Sequence, residues 1–509
     1  MGIAAAILNL HARRKWRAFE AACARPEDAQ RRVLRELLAR AADTEWGRRY
    51  GFADIATPEQ FRSRVPLTPY EQAAPHWHRA FDGASDVAWP GHVRHFAISS
   101  GTTAGEKLLP VTRDATRSNL RAGGLLAAML VRRGGAAAVA DGKFLYLGGS
   151  TTLRRHGQCL VGDASGIVAR HIPLLARGRR LPEADIAAVT NWEEKIDRIV
   201  ARYLAADVAA LSACPSWAAM LFRRMRQADA ERTGRQRTIG QLWPKLRFLV
   251  SYGMAFEPYR AAFEQYVGRP IHYVDTYSSS EGGMAAVQED DRGPLRLIVD
   301  NGVFYEFVEA GRAGEADAPR LHVGEVAEGV DYAVALTTNG GIWAYPLGDV
   351  VRFVSLRPPR IVFAGRTGIS LSAFGEHVTG EMIEQAVAAA CEAAGASVAD
   401  YTVAPRFPSP DTPVPAHRWV VEFDRAPTDA AAFAAALDAA LRRRCEDYDA
   451  HRADDYGLAP PVLLPVPPGT FYQWMKRHGK LGGQHKVPRV ARSEEMFDEL
   501  MEISRQKRA

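Results

Sequence analysis

The chain has 509 residues, of which 47% are hydrophobic and 24% are charged, the balance of a folded globular protein rather than a disordered one. The formal net charge of +6 is small for this length, so we expect no nucleic-acid partner. The 5 cysteines form no CxxC pair, and no apolar run reaches the roughly 18 residues of a membrane span. We therefore expect a cytoplasmic protein without a disulfide framework or stable membrane insertion.

Helical periodicity appears early in the chain. The stretch MGIAAAILNLHARRKW at residues 1–16 is typical of an amphipathic surface helix, with weak membrane contact as the alternative. Residues 28–42 carry apolar side chains at helical spacing. Residues 190–204 predict a further helix, which begins with a capping box of Thr190 and Glu193.

Strands alternate with these helices along the sequence. They are predicted in the stretches 143–149, 207–217, 246–253, 270–278 and 331–338, which end in polar or glycine-containing turns. This alternation predicts an α/β fold with sheets flanked by helices, and ligands in such folds bind at the carboxyl ends of the strands.

The pattern changes in the segment GRTGISLSAFGEHVTG, after which helices and strands form a compact α+β unit. We predict a large N-terminal domain at residues 1–366, a hinge at 367–380 and a small mobile α+β domain at 381–509.

The stretch HFAISSGTTAGEKLLPV has the composition of a phosphate-binding loop. Glycines let backbone N–H groups approach an anion closely, hydroxyl groups add donors, and a lysine adds positive charge. The residues in question are Ser99, Ser100, Gly101, Thr102, Thr103, Gly105 and Lys107. The GxxxxGK[ST] pattern of a P-loop is missing, and a plain turn between two elements is the alternative.

Two carboxylates follow at later strand ends. Glu281 in YVDTYSSSEGG could hold the Mg²⁺ that accompanies ATP, since Mg²⁺ keeps most of its waters and takes one or two protein carboxylates. A serine cap at a helix start is the alternative there. Asp349 in IWAYPLGDVVRF could accept hydrogen bonds from a ribose diol, or could belong to an ordinary turn.

Two basic residues flank the predicted small domain. Arg366, which precedes the hinge, is a candidate nucleotide-binding residue, and Lys486, a candidate catalytic residue, lies in the glycine-flanked stretch HGKLGGQHKVPRV. A lysine on a mobile domain could reach a phosphate when that domain closes, and a solvated surface residue is the alternative for each.

Taken in order, SSGTTAG, TYSSSEG, YPLGDVV, AFGEH and GQHKVPR resemble the Gretchen Hagen 3 family of acyl-acid amido synthetases within the adenylate-forming superfamily. The similarity runs from residue 43 to residue 490, nearly the whole chain. Ala344, Pro346 and His377 depart from the basic residues usual in plant members, and the loop before Lys107 is one residue shorter than in many relatives. These departures indicate a bacterial-type member.

The resemblance implies binding roles for particular residues. Residues 99–103 and Gly105 match the phosphate loop, and Tyr277 and Ser278 lie where adenine is held. Glu281 matches the Mg²⁺ ligand, Asp349 the ribose ligand, and Lys486 a lysine that approaches the phosphates.

The reaction implied is ATP-dependent adenylation of a small carboxylic acid, followed by transfer of the acyl group to an amine, expected to be an amino acid. The turn at 214–217 and the stretch 252–256 are candidates for the acyl pocket, with the protein core as the alternative for Trp217 and Phe256. An acyl-CoA ligase and a non-catalytic nucleotide-binding protein are the competing functions. The acid, the acceptor and the oligomeric state are left open.

Overall fold

The computed structural model describes the backbone of residues 3–100, 106–172, 178–253, 256–315, 317–367, 370–371, 376, 378–406, 412, 414–452, 458–481, 486–491 and 494–508. The chain divides into two compact units. The first comprises residues 1–214, 240–254 and 271–363, and the second comprises 215–239, 255–270 and 364–509. The second unit thus takes in two segments that precede residue 366, and the domain boundaries at 366 and 380 stay a prediction.

Helices occur throughout the described residues. In chain order they are α1 (Ile3–Ala24), α2 (Pro26–Ala41), α3 (Glu45–Tyr50), α4 (Pro58–Arg64), α5 (Tyr70–Phe81), α6 (Arg113–Ala140), α7 (Ala164–Arg170), α8 (Ala184–Ala187), α9 (Trp192–Tyr203), α10 (Pro215–Thr233), α11 (Ile239–Leu242), α12 (Arg260–Val267), α13 (Gly380–Ala393), α14 (Ala430–Arg442), α15 (Glu446–Arg452), α16 (Thr470–Arg477) and α17 (Glu494–Arg508). Single 3₁₀ turns lie at Phe52–Asp54, Glu257–Tyr259 and Ala310–Arg312.

The strands are likewise numbered in chain order. They are β1 (His95–Ser100), β2 (Glu106–Val111), β3 (Lys143–Leu147), β4 (Arg154–His156), β5 (Cys159–Asp163), β6 (Arg180–Leu181), β7 (Val208–Ala213), β8 (Phe248–Tyr252), β9 (His272–Ser279), β10 (Gly283–Gln288), β11 (Leu295–Leu297), β12 (Val303–Glu309), β13 (Asp331–Thr338), β14 (Ile342–Leu356), β15 (Pro359–Arg366), β16 (Ser370–Leu371), β17 (Val378–Thr379), β18 (Ser397–Arg406), β19 (Ala416–Arg425) and β20 (Val462–Val466).

One large sheet organises the first unit. Within the described residues it has 11 strands in the order β12-β13-β14-β15-β11-β10-β9-β8-β7-β3-β6. Strands β6, β3, β7, β8 and β9 run parallel, so their carboxyl ends meet at one edge. A smaller sheet, β2-β1-β5-β4, accompanies it. The predicted α/β fold is confirmed, as are all five predicted strand positions.

The predicted helices bury the faces that their periodicity indicates. In α2, the residues that point inward at helical spacing are Val33, Leu34, Leu37, Leu38 and Ala41. Helix α9 is also found, but its N-cap is Asn191, whose side chain accepts a hydrogen bond from the Glu194 N–H at 2.9 Å. The predicted capping box at Thr190 was therefore wrong by one residue, because two residues that both cap well stand next to each other.

Helix α6 is the one helix in the described chain that is long and apolar enough to cross a membrane by length and composition. Its apolar side chains are engaged inside the protein, however. Leu125, Leu126, Met129 and Leu130 belong to the core of the first unit. Helix α6 is therefore explained as a core helix.

The second unit has its own sheet and core. Its strands run in the order β18-β19-β20, with β18 and β19 antiparallel and β19 and β20 parallel. Helices α13 and α14 contribute Ile383, Val387 and Leu437 to a core that also contains Trp419. Strand β18 was not predicted from the sequence, because its residues alternate little in polarity. Most of them are buried.

Candidate functional site

The stretch predicted to bind phosphate joins β1 to β2. The two strands are antiparallel, with Ser99 opposite Lys107 and Ser100 opposite Glu106. Gly101, Thr102, Thr103 and Gly105 lie outside the described residues, as do the side chains of Ser99 and Ser100. Their role in phosphate binding stays a prediction.

Lys107 is held in place by aromatic side chains. Its ammonium group lies 5.1 Å from the ring centre of Tyr70 and 6.0 Å from that of Tyr345. It also donates a hydrogen bond to the Tyr345 hydroxyl at 3.3 Å. The face of an aromatic ring attracts a cation, so these rings fix the lysine without neutralising its charge. Neither tyrosine was predicted from the sequence, although Tyr345 stands in the stretch IWAYPLGD.

Glu281 occupies the tip of a β-hairpin. Strand β9 ends at Ser279 and β10 begins at Gly283, and these two residues are paired, which leaves three residues for the turn. Gly283 has a φ of +72°, and the Gly282 N–H donates to the Ser279 hydroxyl at 3.0 Å. Both features are typical of a short hairpin loop. The helix-cap alternative for Glu281 is thus wrong, and its carboxylate is partly exposed at the turn.

Asp349 is oriented by a bulge in β14. Opposite β13, Pro346 pairs with Ala335 and Val350 pairs with Ala333, so the three residues between them face a single residue, Val334. Such an insertion turns the side chains locally and breaks the alternation of the strand. Gly348 within the bulge has a φ of +81°, which explains why glycine stands there.

Two of the predicted nucleotide-binding residues meet directly. The Tyr277 hydroxyl donates a hydrogen bond to Asp349 Oδ2 at 2.8 Å, and Asp349 is 7% exposed. The two residues are 72 positions apart in sequence. The ring of Tyr277 also lies against Phe363, at a centroid distance of 6.1 Å. The structure thus brings together a planar aromatic wall and a carboxylate acceptor, both supplied by the large sheet.

The candidate acyl-pocket residues differ in exposure. Trp217 and Phe256 are buried, with 7% and 3% exposed, and Phe256 packs edge-on against Phe263. Tyr252, at the end of β8, keeps part of its surface accessible. Its hydroxyl donates to the Leu147 carbonyl at 2.7 Å, and its ring stacks on Tyr146. Of these three residues, Tyr252 is the most accessible to a ligand.

A buried lysine holds the turn that follows β3. Lys195 on α9 is 3% exposed and donates to the carbonyl oxygens of Gly148 and Gly149 at 3.1 and 3.2 Å. Burial lowers the pKa of Lys195 to about 8, partly offset by the charge of Asp163. The side chain therefore carries its proton at neutral pH at a cost to stability.

We expect alkaline pH to stabilise the wild-type protein relative to a Lys195→Met variant. Between pH 8 and 10.5 the folded state releases the Lys195 proton before the unfolded state does, so the free energy of unfolding rises with pH in this window. The gain is on the order of 3 kcal/mol at most. Urea unfolding of both proteins at pH 7 and pH 10 measures the difference. An equal response of the two proteins to pH would contradict the prediction.

Arg366 and Lys486 fall in the second unit. Arg366 is exposed at the end of β15, and Lys486 is exposed near Glu384. Burial raises the pKa of Glu384, and the charges of Arg489 and Lys486 reduce this increase. Their assignment to a nucleotide stays a prediction, and His377 lies outside the described residues.

Arg489, three residues after Lys486, is the centre of a buried polar network in the second unit. It contacts the carboxylates of Asp400 and Glu384 and donates to the Tyr259 hydroxyl at 3.0 Å. Its guanidinium lies 4.3 Å from the ring centre of Tyr401. The segment bearing Lys486 is thereby anchored to β18, to α13 and to the turn at Glu257–Tyr259.

One further cluster in the described residues has the composition of a metal site: Glu59, His322 and Glu325. His322 Nδ1 accepts a hydrogen bond from the Gly324 N–H at 2.9 Å. The neutral ring then carries its proton on Nε2, which faces both carboxylates at 3.7 Å. No lone pair is left there for a metal, and we assign none.

Comparisons with known proteins identify the family of this chain. The model of the GH3 family N-terminal domain matches residues 15–179 and 155–271, that of the central domain residues 296–366, and that of the C-terminal domain residues 381–495. Indole-3-acetic acid-amido synthetase GH3.8 of Oryza sativa subsp. indica is 26% identical over 90% of this chain and 87% of its own length. GH3.3 of Arabidopsis thaliana is 23% identical over 93% and 90%.

Among solved structures, GH3.15 acyl acid amido synthetase superposes with a TM-score of 0.76 at 19% identity, over 95% of each chain. A 2-hydroxyisobutyryl-CoA ligase in its postadenylation state, with 2-HIB-AMP, gives 0.61 at 13% identity, over 94% and 91%. The fold is therefore that of the adenylate-forming enzymes. Because the family models cover most of its length, the chain belongs to the GH3 family.

Proposed function

We propose that this protein activates a small carboxylic acid with ATP and transfers the acyl group to the amine of an amino acid. Relatives of the same family are named as acid-amido synthetases. The observation that carries the proposal is the Tyr277–Asp349 hydrogen bond, because it joins two residues that the family resemblance assigns to one nucleotide. Glu281, assigned to the same nucleotide, lies in the turn that follows the strand of Tyr277. The reaction is expected in the cytoplasm.

The first step exchanges a poor leaving group for a good one. A carboxylate oxygen of the acid attacks the α-phosphorus of ATP, and the bond to pyrophosphate breaks. In the second step the amine nitrogen attacks the acyl carbon, loses a proton, and AMP departs with the bonding electrons. Both steps depend on alignment and charge stabilisation rather than on a covalent bond to the protein.

The chain supplies the binding groups for the first step. Tyr277 offers an aromatic face for adenine, and the Asp349 carboxylate accepts from the ribose hydroxyl groups. Lys107, fixed by Tyr70 and Tyr345, brings positive charge to the strand that follows the serine- and threonine-rich loop. Lys486 is assigned to the phosphates by resemblance alone, and Arg366 is proposed as a further residue that binds the nucleotide.

Glu281 is proposed to hold Mg²⁺. A partly exposed carboxylate at the tip of a turn fits an ion that retains most of its waters and takes few protein ligands. When bound, Mg²⁺ would neutralise charge that develops on the phosphate oxygens. The contribution of the protein is to keep the carboxylate at the tip of a short, hydrogen-bonded hairpin.

Pyrophosphate release in the presence of Mg·ATP tests the function. Aromatic, fatty and hydroxy acids should each be supplied with an amino-acid mixture, with CoA, or with neither, and products identified by mass spectrometry. We expect acid-dependent pyrophosphate release and an acyl-amino acid that forms only when the amine is present. An acyl-CoA product would favour the ligase alternative, and ATP binding without turnover of any acid would favour the non-catalytic one.

A further inference from the structure

The outer face of α1 exposes aliphatic side chains. In the part of the chain that the structure describes, three large aliphatic residues are exposed: Ile7 at 64%, Leu10 at 73% and Val354 at 42%. Single exposed aliphatics are normal on protein surfaces. Ile7 and Leu10, however, are three positions apart on one helix and therefore form one patch.

Three arginines continue this face. Arg13, Arg14 and Arg17 are exposed, and within the described residues none of them has an ion pair or a side-chain hydrogen bond. Elsewhere on the first unit, Arg62 pairs with Glu325 and Arg79 pairs with Glu45. The single carboxylate of α1, Glu20, accepts a hydrogen bond from the Trp16 indole N–H at 2.7 Å. Glu20 is thus one carboxylate against three arginines, and the outer face of α1 carries a net positive charge.

The position of α1 fixes which side faces outward. The inner side of the helix buries Ala12, Trp16 and Phe19, while Lys15 donates to the Arg121 carbonyl of α6. At 100° per residue, Ile7, Leu10, Arg14 and Arg17 all fall within one quarter of the helix circumference, on the opposite side. A docked helix thus presents two aliphatic side chains and a set of cationic ones in one direction.

We propose that the outer face of α1 binds an anionic membrane surface. Ile7 and Leu10 enter the boundary between headgroups and acyl chains, and the arginines contact lipid phosphates while their stems cover the apolar edge. A solvated helix face would explain the arginines but not the adjacent exposed aliphatics. A second copy of this chain on the same face would bring two sets of arginines together and is disfavoured by their repulsion. The proposal is independent of the enzymatic function.

Co-sedimentation of the full-length protein with vesicles tests it. We expect binding to phosphatidylglycerol–phosphatidylcholine vesicles that exceeds binding to pure phosphatidylcholine by about tenfold or more and that weakens with salt. Ile7→Gln/Leu10→Gln should lower the partition coefficient about tenfold or more. Arg13→Gln/Arg14→Gln/Arg17→Gln should lower it about 100-fold on the anionic vesicles, since each basic residue near such a surface adds to binding.

Matched controls lie elsewhere on the chain. Val354→Gln removes the other exposed aliphatic, and Arg232→Gln/Arg235→Gln/Arg505→Gln removes the same charge from exposed positions in the second unit. Both controls should bind vesicles like the wild type. Equal binding by all five proteins, or no preference of the wild type for anionic vesicles, would overturn the proposal. The proposal would also be overturned if light scattering showed a dimer that dissociates in the Ile7→Gln/Leu10→Gln variant while the wild type binds no vesicles.

Discussion

Replacing Glu281 by glutamine is expected to lower acid-dependent pyrophosphate release about 100-fold or more. The substitution keeps the size of the side chain and the hairpin but removes the charge that is proposed to hold Mg²⁺. Stabilisation of a transferring phosphoryl group by a metal is worth several kcal/mol, and each 1.4 kcal/mol corresponds to about tenfold in rate. Initial rates should be measured over a range of Mg²⁺ concentrations, where the variant should need more Mg²⁺ than the wild type.

The control for Glu281 is Asp290→Asn, which removes an exposed carboxylate from the next turn of the same sheet, between β10 and β11. This variant should keep the wild-type rate and Mg²⁺ dependence. Wild-type turnover and an unchanged Mg²⁺ requirement in Glu281→Gln would show that the metal is held elsewhere. Loss of activity in both variants would point to a disturbed sheet rather than a lost ligand.

Replacing Arg489 by methionine is expected to destabilise the second unit by about 3–5 kcal/mol, because it leaves buried carboxylates without their cation. Asp400 and Glu384 have side chains that are 13% and 17% exposed, and burial already raises the pKa of both. Amide hydrogen exchange of residues 397–406 provides the measurement. Protection in this strand should fall in the variant, while β12 and β13 of the first unit should stay protected.

Two further variants isolate the cause. Tyr401→Phe removes a buried hydroxyl that has no hydrogen-bond partner among the described residues and keeps the ring over Arg489, so it should leave exchange nearly unchanged. Combining Arg489→Met with Asp400→Asn and Glu384→Gln removes the unpaired charges and should restore much of the lost protection. If the triple variant is as unstable as Arg489→Met alone, lost packing rather than unpaired charge is responsible.

Periodicity was sufficient to place the main helices and strands. The apolar spacing of α2 and α9 and the short apolar runs of β7 and β8 are properties of the local sequence. Capping residues were harder to assign, since Thr190 and Asn191 have similar preferences and tertiary packing selects between them.

The geometry of the candidate site was less accessible to sequence reasoning. The orientation of Asp349 follows from three residues of β14 facing one of β13, and a bulge leaves little trace in alternation. Lys107 is fixed by Tyr345, which lies 238 residues further along the chain. Nothing in the local sequence indicates such a partner. The family resemblance named the residues, but the strand register explains why two of them meet.

The second unit is formed by three separate segments of the chain, and this affects its folding during synthesis. Arg223 on α10 pairs with Asp424, 201 residues later, and Tyr259 receives its hydrogen bond from Arg489, 230 residues later. At about 5–20 residues per second, a ribosome needs about 10–40 s between making Arg223 and making its partner. During this interval the apolar faces of α10 and α12 have emerged without the strands that cover them. Nascent chains that stall after residue 366 should therefore be bound by chaperones more strongly than the completed protein.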